Sequence, residues 1–511
     1  MLKMVDGTGI IGVDMVCPLG GAVSPPQPPN FDKVEMEGVG SLTLPNSLKA
    51  PLERVELLGN SVQGENPAPD NPQEIKSAGR KSKNLFNIAD LRVGQVQKDG
   101  TINEKSTHYR TAILDVPEDA KYRITFKTNT DYNMIYFTHA YINGVYSNPY
   151  VKVYGGNSNS LISLKNGKNI LSFRATKDDA IIGFPKDHNI MIAAESETLD
   201  YEPYGYFFDL KITGKNLFDR EKARDITNWI VRDGNGYAKF PIRVGKGNKV
   251  TFYYSEKLTT GKGFYVGITQ SETSAIVSWL YHSAETNLNN KKYTAVAAGD
   301  YIYLSCTISG IQKFVDTIQT LQVEIGSEQT EYEPYAEQSM QIVLDEPLRG
   351  VGEYKDTITK DGAVRKIKRA VFDGSEDEKW GLSREHENHI NFALVIKGAI
   401  TVNTGIRTMM DKFKYFGAIW NSDLLGQDMF GATLRINMPK TLATDLQTFK
   451  TWLSQNPLTV DYVLAEPVTE PLPESVQAQL SSLHSENGVT HVFVDSGEVP
   501  CGIKLTYRKE K

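Results

Sequence analysis

The sequence has few cysteines, no long apolar run and no excess of positive charge. Its 511 residues include 3 cysteines (Cys17, Cys306 and Cys501) and no CxxC pair, which argues against a disulfide framework and against zinc-ligand spacing. No stretch approaches the roughly 20 apolar residues of a membrane-spanning helix, and no signal peptide is recognisable. Lys and Arg number 56 against 62 Asp and Glu, giving a net charge of −6. We therefore expect a soluble chain that binds neither membrane nor nucleic acid.

Catalytic and metal-binding signatures are also missing. The chain contains no GxSxG, HExxH, GxxxxGK[ST] or GxGxxG motif. His386 and His389 have a spacing that could place two metal ligands on one helix face, but no other His or Cys lies nearby, so a polar loop is favoured. Asp178 and Asp179 supply only two of the six or more oxygens that calcium requires. We predict no enzyme activity, no metal and no cofactor; a polysaccharide depolymerase or glycosidase is the alternative.

Two short words occur twice at nearly the same offset. KNLF at Lys83–Phe86 recurs 132 residues later at Lys215–Phe218, and YEPY at Tyr201–Tyr204 recurs 131 residues later at Tyr332–Tyr335. Two unrelated words at one offset are the signature of an internal repeat. The sequence therefore predicts two copies of one module, each about the length of a typical domain.

Residue patterns inside both copies are typical of strands. Short runs such as YRITFKT, NILSFRA and NKVTFYY are separated by turn-forming clusters such as NGVYSN and GKGN, which favours antiparallel sandwiches or jelly rolls. The distal part is also β-rich and contains one predicted helix, from Thr441 or Ala443 to about Gln455, with apolar residues at helical spacing.

The predicted layout has five parts. They are an N-terminal attachment segment with a Pro-rich spacer (1–30), a small β segment (31–81), β-sandwich repeat 1 (82–205), β-sandwich repeat 2 (206–336) and a C-terminal β-rich domain (337–511).

Tyrosine is abundant, with 25 residues in the chain. An exposed aromatic ring stacks against the apolar face of a sugar, while nearby polar groups bind its hydroxyls. The alternative is that these rings fill half-buried sheet surfaces, as strand preferences predict. The YEPY tyrosines are interpreted as packing at module boundaries. The candidate glycan-binding residues are Tyr132, Tyr136, Tyr141, Tyr146, Tyr254, Tyr265, Trp279 and Trp420.

The first residues form a candidate docking segment. The run SPPQPP at Ser24–Pro29 is typical of a stiff spacer, so the residues before it are expected to attach the protein to a larger assembly. Their alternative role is a buried strand of a small local fold. The candidate docking residues are Ile10, Ile11, Val13, Met15 and Val16.

Four longer stretches carry a resemblance to a known family. GKNLFD (214–219), IGSEQTEYEPY (325–335), the segment 46–75 beginning NSLKAPLERVELLG and the segment 434–472 beginning LRINMPKTLATDLQ resemble tail-associated structural proteins of phages and prophages of Gram-positive bacteria. The resemblance implies a virion component such as a tail fibre, baseplate or receptor-binding protein. It also implies jelly-roll domains similar to carbohydrate-binding modules, and a homotrimer.

These observations together predict a phage virion structural protein that mediates attachment to the host surface by glycan binding. Its expected partners are other virion proteins, through the N-terminus, and host cell-wall glycan. Many copies on one particle would strengthen weak individual binding. The expected location is the virion, assembled in the host cytoplasm. A non-binding structural spacer or a head fibre is a further alternative.

Overall fold

Short antiparallel strands dominate the chain, as its alternation of apolar and polar residues predicts. The computed structural model describes residues 5–6, 9–10, 30–106, 108–128, 134–149, 151–154, 156–175, 188–197, 201–232, 235–253, 264–269, 278–281, 293–307, 321–417 and 425–511. The predicted mainly β class is confirmed. The jelly-roll connectivity stays a prediction.

Among the described residues, eight strands precede residue 82. They are β1 (Val5–Asp6), β2 (Gly9–Ile10), β3 (Phe31–Val39), β4 (Ser41–Ser47), β5 (Arg54–Leu58), β6 (Ser61–Val62), β7 (Lys76–Ser77) and β8 (Arg80–Lys81). β1 pairs with β2 and β6 with β7. β3, β4, β5 and β8 pair instead with strands from later parts of the chain.

The next part, module 1, contains two larger sheets and the hairpin of Gln95–Val96 with Ile102–Asn103 in its described residues. Its strands are β9 (Arg92–Val93), β10 (Gln95–Val96), β11 (Ile102–Asn103), β12 (Arg110–Val116), β13 (Ala120–Thr128), β14 (Met134–Ile142), β15 (Val145–Ser147), β16 (Val151–Tyr154), β17 (Gly156–Leu164), β18 (Gly167–Ala175) and β19 (His188–Ala194). One sheet has the order β15–β14–β18–β12–β9 with β16 also beside β14, and the other has the order β17–β13–β19. Both sheets contribute to one buried cluster, for example through Leu114, Ile124 and Phe137.

Module 2 repeats the arrangement of module 1. It is preceded by one strand, Tyr206–Thr213, that belongs to a different sheet. The strands are β20 (Tyr206–Thr213), β21 (Trp229–Arg232), β22 (Asn235–Ala238), β23 (Ile242–Arg243), β24 (Lys249–Tyr253), β25 (Phe264–Thr269), β26 (Ser278–Tyr281), β27 (Tyr293–Val296), β28 (Tyr301–Thr307) and β29 (Gln322–Ile325). β21 to β29 form module 2: one sheet has the main order β26–β25–β28–β22–β21 with β23 also beside β28, and the other has the order β27–β24–β29. Helix α1 (Arg220–Arg224) lies before β21. The two copies therefore share one strand order.

The remaining strands complete the chain. They are β30 (Glu337–Leu344), β31 (Gly350–Val351), β32 (Tyr354–Lys355), β33 (Thr357–Thr359), β34 (Gly362–Phe372), β35 (Gly381–Glu385), β36 (His389–Val395), β37 (Thr408–Met410), β38 (Gly426–Phe430), β39 (Thr433–Pro439), β40 (Leu458–Glu470), β41 (Gly488–Asp495) and β42 (Gly502–Glu510).

A large antiparallel sheet, here named the central sheet, joins distant parts of the sequence. Its order is β30–β20–β41–β4–β42–β5–β33–β34–β40–β37, with β3 beside β42 and β8 beside β20. Phe31 lies opposite Glu510, so the first described long strand pairs with the last. Leu44, Ile212 and Ile503 are buried in the core of this sheet. The predicted boundaries between the five parts stay a prediction. The central sheet pairs strands that come from different parts of that layout.

The C-terminal part contains two helices where the sequence predicted one. Helix α2 (Leu446–Gln455) begins later than expected because Asp445 caps it. The Asp445 carboxylate accepts a hydrogen bond from the Thr448 amide at 2.8 Å, and the Thr448 hydroxyl accepts one from the Asp445 amide at 3.0 Å, which is a capping box. Helix α3 (Glu474–Ser482) buries only Leu480. Its surface is largely polar, so it leaves little apolar period in the sequence.

Helix α2 packs on a four-stranded sheet of order β35–β36–β39–β38. Phe449 and Leu453 of the helix are buried in the same cluster as Ile436 and Trp380. The rings of Phe392 and Phe449 stack with centroids 4.0 Å apart. The apolar residues that recur at helical spacing therefore face this core, as the sequence predicted.

The two repeated words meet at the edge of each module and form what we name the clasp. In module 1, buried Asn84 accepts hydrogen bonds at Oδ1 from the amides of Phe86 and Ile192, at 2.9 and 3.0 Å. Its Nδ2 donates to the carbonyls of Ile190 and Glu202, at 2.9 and 3.1 Å. The KNLF asparagine is thus hydrogen-bonded to the backbone of the YEPY glutamate, so the two repeated words are in direct contact.

Module 2 has the same clasp. Asn216 accepts from the amides of Phe218 and Val323, at 3.0 and 3.3 Å, and donates to the Glu333 carbonyl at 2.8 Å. One side chain therefore joins the beginning and the end of each module, because an asparagine amide offers both a donor and an acceptor.

Candidate functional site

The first elements of the site are two neighbouring strands of module 1. Strands β14 and β15 form a hairpin in which Tyr141 lies opposite Tyr146. Asn143 and Gly144 connect the strands with positive φ angles of 45° and 82°. An Asn-Gly pair with positive φ at both positions is the preferred turn between twisted antiparallel strands. The hairpin therefore places two predicted glycan-binding tyrosines side by side.

These two tyrosines have different surroundings. A Cβ atom built on Gly100 would lie 2.8 Å from Cε1 of Tyr141, so the backbone of the 97–101 turn lies directly against the Tyr141 ring. Gly100 has a φ of 82° and is suited to this close approach, because it has no side chain. One surface of the Tyr141 ring is thus used in packing. Tyr146 is the better candidate for contact with a ligand.

Tyr146 belongs to a group of three rings that we name the aromatic cluster: Tyr109, His139 and Tyr146. The His139 ring lies 5.4 Å from the Tyr109 ring in an edge-on arrangement, and 6.2 Å from the Tyr146 ring. All three residues are partly exposed. Rings at these distances stabilise one another, and together they form a half-buried aromatic surface on the outer side of the sheet.

His139 reaches this surface because the strand is irregular. The pairing of β14 with β18 shifts between Phe137 and His139; Phe137 lies in the core. The Thr138 hydroxyl is 2.7 Å from Nδ1 of His139. Burial, and then the positive charge of Arg174, lower the pKa of His139, so the imidazole is neutral at neutral pH.

Arg174 adds a polar group beside the cluster. Its side chain is exposed, and its guanidinium carries several hydrogen-bond donors and no acceptor. A partly exposed aromatic surface beside such donors offers both ring stacking and hydrogen bonds to a ligand.

The structure describes six other predicted residues of this type only by their backbones or not at all. The structure places Tyr136, Tyr265 and Trp279 by their backbones alone, on β14, β25 and β26. Tyr132, Tyr254 and Trp420 lie outside the described residues. The structure therefore brings together Tyr141 and Tyr146 from the predicted set.

The predicted docking residues are mostly outside the described part as well. Ile10 ends β2 and pairs with Val5. Ile11, Val13, Met15 and Val16 lie outside the described residues, and their role stays a prediction.

Tyr109 and His139 were missing from the predicted site. His139 is two residues before Tyr141 on one strand, and alternate residues of a strand share a face, so this signal was present in the sequence. Tyr109 comes from a different strand region, just before β12. Its proximity to His139 depends on long-range sheet pairing that the local pattern does not contain.

Asp356 is a buried carboxyl group that could serve the alternative enzymatic function. Burial raises its pKa, as in a glycosidase acid. However, its side chain is fully buried and accepts hydrogen bonds from the amides of Arg349, Lys366 and Ile367 at 2.9, 2.7 and 3.0 Å. These contacts give Asp356 a structural role, in which it holds the backbone of Arg349 and of strand β34.

The histidines considered as metal ligands, His386 and His389, stack with ring centroids 4.2 Å apart. Within the described part of the chain, no group of three or more His, Cys, Asp or Glu side chains is arranged to hold a metal ion. Of the helices that the structure describes, none has the length and apolar character to cross a membrane. Comparison with known proteins found no matching family model, no similar curated protein and no similar solved structure.

Proposed function

We propose that the protein is a structural component of a phage virion, and that it attaches the particle to host cell-wall glycan. The observation that carries the proposal is the aromatic cluster of Tyr109, His139 and Tyr146, where three partly exposed rings lie beside exposed Arg174. The resemblance of four sequence stretches to phage tail proteins supports the virion assignment. The protein acts by binding and catalyses no reaction.

The site suits weak, repeated binding. A partly exposed surface offers ring stacking and few enclosed hydrogen bonds, so one copy binds a sugar with an affinity of ~mM. A homotrimer with several copies on one particle raises the overall strength of attachment, because the later contacts form within an already bound particle. Other virion proteins hold the N-terminal segment in this proposal.

The test measures glycan binding by the full chain and by one variant. We expect wild type to bind a subset of host wall glycans on an array, and Tyr146→Ala to bind them about tenfold more weakly, because about 1.4 kcal/mol of ring stacking is lost. The matched control is Tyr201→Ala, a 43% exposed tyrosine of the YEPY word, which should bind as wild type does. Equal weakening in both variants contradicts a site at the aromatic cluster.

Two further measurements separate this function from its alternatives. Incubation with wall polysaccharide should release no reducing sugar, and release would instead indicate a depolymerase. Deletion of residues 1–30 should leave a folded protein that no longer enters particles, and normal incorporation would contradict the attachment role of this segment. Antibody-labelled electron microscopy of the particle then distinguishes a tail position from a head fibre.

A further inference from the structure

A small pocket lies where module 2 contacts the central sheet, and we name it the junction pocket. Its basic residues are Lys211 from β20, Lys222 from α1 and Arg243 from β23, and its aromatic walls are Phe240, Tyr335 and Phe493. Three basic residues from three separate elements meet here in a chain whose net charge is −6. The pocket is therefore a local concentration of positive charge.

Two of these cations lie against aromatic rings. Lys211 forms an ion pair with Glu337 at 2.6 Å. The guanidinium of Arg243 lies 5.4 Å from the Phe493 ring centre, and Nζ of Lys222 lies 6.0 Å from that of Phe240. Within the described part of the chain, neither Arg243 nor Lys222 has a carboxylate at ion-pair distance. The aromatic rings position both charges and leave their donors available.

A buried hydroxyl group also lines the pocket. Thr213 lines the same pocket, is 1% exposed, and its Oγ1 has no hydrogen-bond partner in the described structure. Its backbone is held on both sides, opposite Glu337 on β30 and His491 on β41. A buried hydroxyl without a partner is unfavourable, and a bound acceptor would satisfy it.

The corresponding place in module 1 has the opposite charge. At the repeat offset of 132 residues, Asp90 stands where module 2 has Lys222, and Asn87 where it has Asp219. Tyr204 occupies the position in module 1 that Tyr335 occupies in module 2. Burial raises the pKa of Tyr204, and the nearby charges of Asp90, Asp345 and Asp115 raise it further. The basic pocket is therefore a feature of module 2 and not of the shared module framework.

We propose that the junction pocket is a binding site for an oxyanion, a phosphate or a carboxylate group. Arg243 and Lys222 supply charge-assisted donors to the anion, and the Thr213 hydroxyl donates the third hydrogen bond. Asp219 also lines the pocket and limits it to ligands that place one anionic group there, because a second would face a carboxylate. The proposal does not depend on sugar binding at the aromatic cluster.

The test is equilibrium dialysis of the full chain against labelled inorganic phosphate or acetate, in chloride buffer at constant ionic strength. We expect one equivalent of at least one of the two anions to bind wild type. Lys222→Glu should weaken binding at least about tenfold, since a charge-assisted contact is replaced by repulsion. The control, Lys246→Glu, changes an exposed lysine of the same module outside the pocket and should bind as wild type does.

Arg243→Met is the second variant, because it keeps an apolar side chain against Phe493. It should unfold at nearly the wild-type temperature and bind the anion about tenfold more weakly. The proposal is overturned if wild type binds neither anion, or if Lys222→Glu and Lys246→Glu weaken binding equally. Tyr146→Ala should retain anion binding, so failure of glycan binding and failure of this site are separate results.

Discussion

Modules 1 and 2 share a strand order and a clasp, but they are attached to the central sheet in different ways. The buried cluster of module 2 includes Phe493, which is a residue of central-sheet strand β41. The corresponding cluster of module 1 consists of residues between Phe86 and Ile192. A shared apolar core couples two units more strongly than polar contacts at their boundary do. Module 2 is therefore fused to the central sheet.

Module 1 contacts the central sheet through an ion pair between Glu202 and Arg80 of β8. The Glu202 carboxylate accepts hydrogen bonds from the guanidinium of Arg80 at 2.7 Å and from the Lys83 amide at 2.8 Å. Lys83 and Glu197, which both lie in module 1, form a further ion pair at 2.9 Å. Partly exposed ion pairs contribute little stability. The same clasp thus occurs in one module that shares a buried cluster with the central sheet and in one that does not.

The interiors beside the clasps differ too. Ile192 and Val323 occupy the same place, because each donates its amide to the clasp asparagine. Their neighbours in module 1 are Met191 and Ala193, both buried. In module 2 the neighbours are Gln322 and Glu324. The same backbone frame therefore carries an apolar pair in one copy and a polar pair in the other.

The largest expected effect comes from removing a clasp. We expect Asn84→Ala to lower the free energy of unfolding of module 1 by about 3 kcal/mol, because two buried amides and two carbonyls lose their partner. Asn216→Ala removes three such contacts and should cost module 2 less. Hydrogen exchange of the full chain, measured by mass spectrometry, reports each module separately.

The control for this comparison is Asn166→Ala, at an exposed position of module 1, which should change exchange little. Equal loss of protection in both modules from either clasp variant would contradict the assignment of one clasp to each module.

Strand content could be predicted from this sequence, but the pairing of the strands could not. Alternation in runs such as YRITFKT lies within a few residues and is set by side-chain burial on one face. The pairing of Phe31 with Glu510 joins residues from opposite ends of the chain, and the local pattern carries no information about it. The central sheet was therefore absent from the predicted layout.

The candidate site could be predicted in part for the same reason. Tyr141 and Tyr146 flank an Asn-Gly turn, a local signal that brings them together. The contact of Gly100 with Tyr141, which separates their roles, comes from a turn about forty residues earlier. Thr213 and Arg243 in the junction pocket lie on strands of two different sheets. The local sequence pattern does not indicate that these strands come together.

The pH dependence of stability tests how the central sheet is buried where it contacts module 2. His491 lies beside Thr213 on the central sheet, and its ring lies 6.2 Å from that of Phe493. Burial lowers the pKa of His491 from 6.5 to about 4. The unfolded chain therefore binds a proton between pH 6.5 and about 4 that the folded chain does not bind, and the free energy of unfolding falls as pH decreases through this window.

The total loss from His491 is about 3 kcal/mol, at roughly 1.4 kcal/mol for each unit of pKa difference. We expect His491→Gln to have a flatter stability profile than wild type between pH 6.5 and 4, with parallel profiles above pH 7. Calorimetric unfolding at a series of pH values measures this difference. Parallel profiles over the whole range would show that His491 is not buried against module 2 as described.

The smallest effect, and the sharpest comparison, comes from exchanging the interiors of the two modules. In module 2, Oε1 of Gln322 accepts a hydrogen bond from the Glu333 amide at 2.7 Å, and Glu324 accepts one from the Thr330 hydroxyl at 2.7 Å. Both side chains also contact the Tyr253 hydroxyl. Removal of one member of a buried polar group leaves the others without partners and costs more than replacement of the group by apolar residues.

We therefore expect Gln322→Met to destabilise module 2 by about 2 kcal/mol, and the double variant with Glu324→Ala, which reproduces the module 1 pair, to cost less than this single change. The converse variant, Met191→Gln, buries an amide in module 1 with no partner and should cost about 2 kcal/mol there. Thermal unfolding and hydrogen exchange measure all three. If the costs of Gln322→Met and Glu324→Ala simply add in the double variant, the two side chains act independently. The two modules then differ in composition at these positions, but the polar pair of module 2 does not form a coupled group.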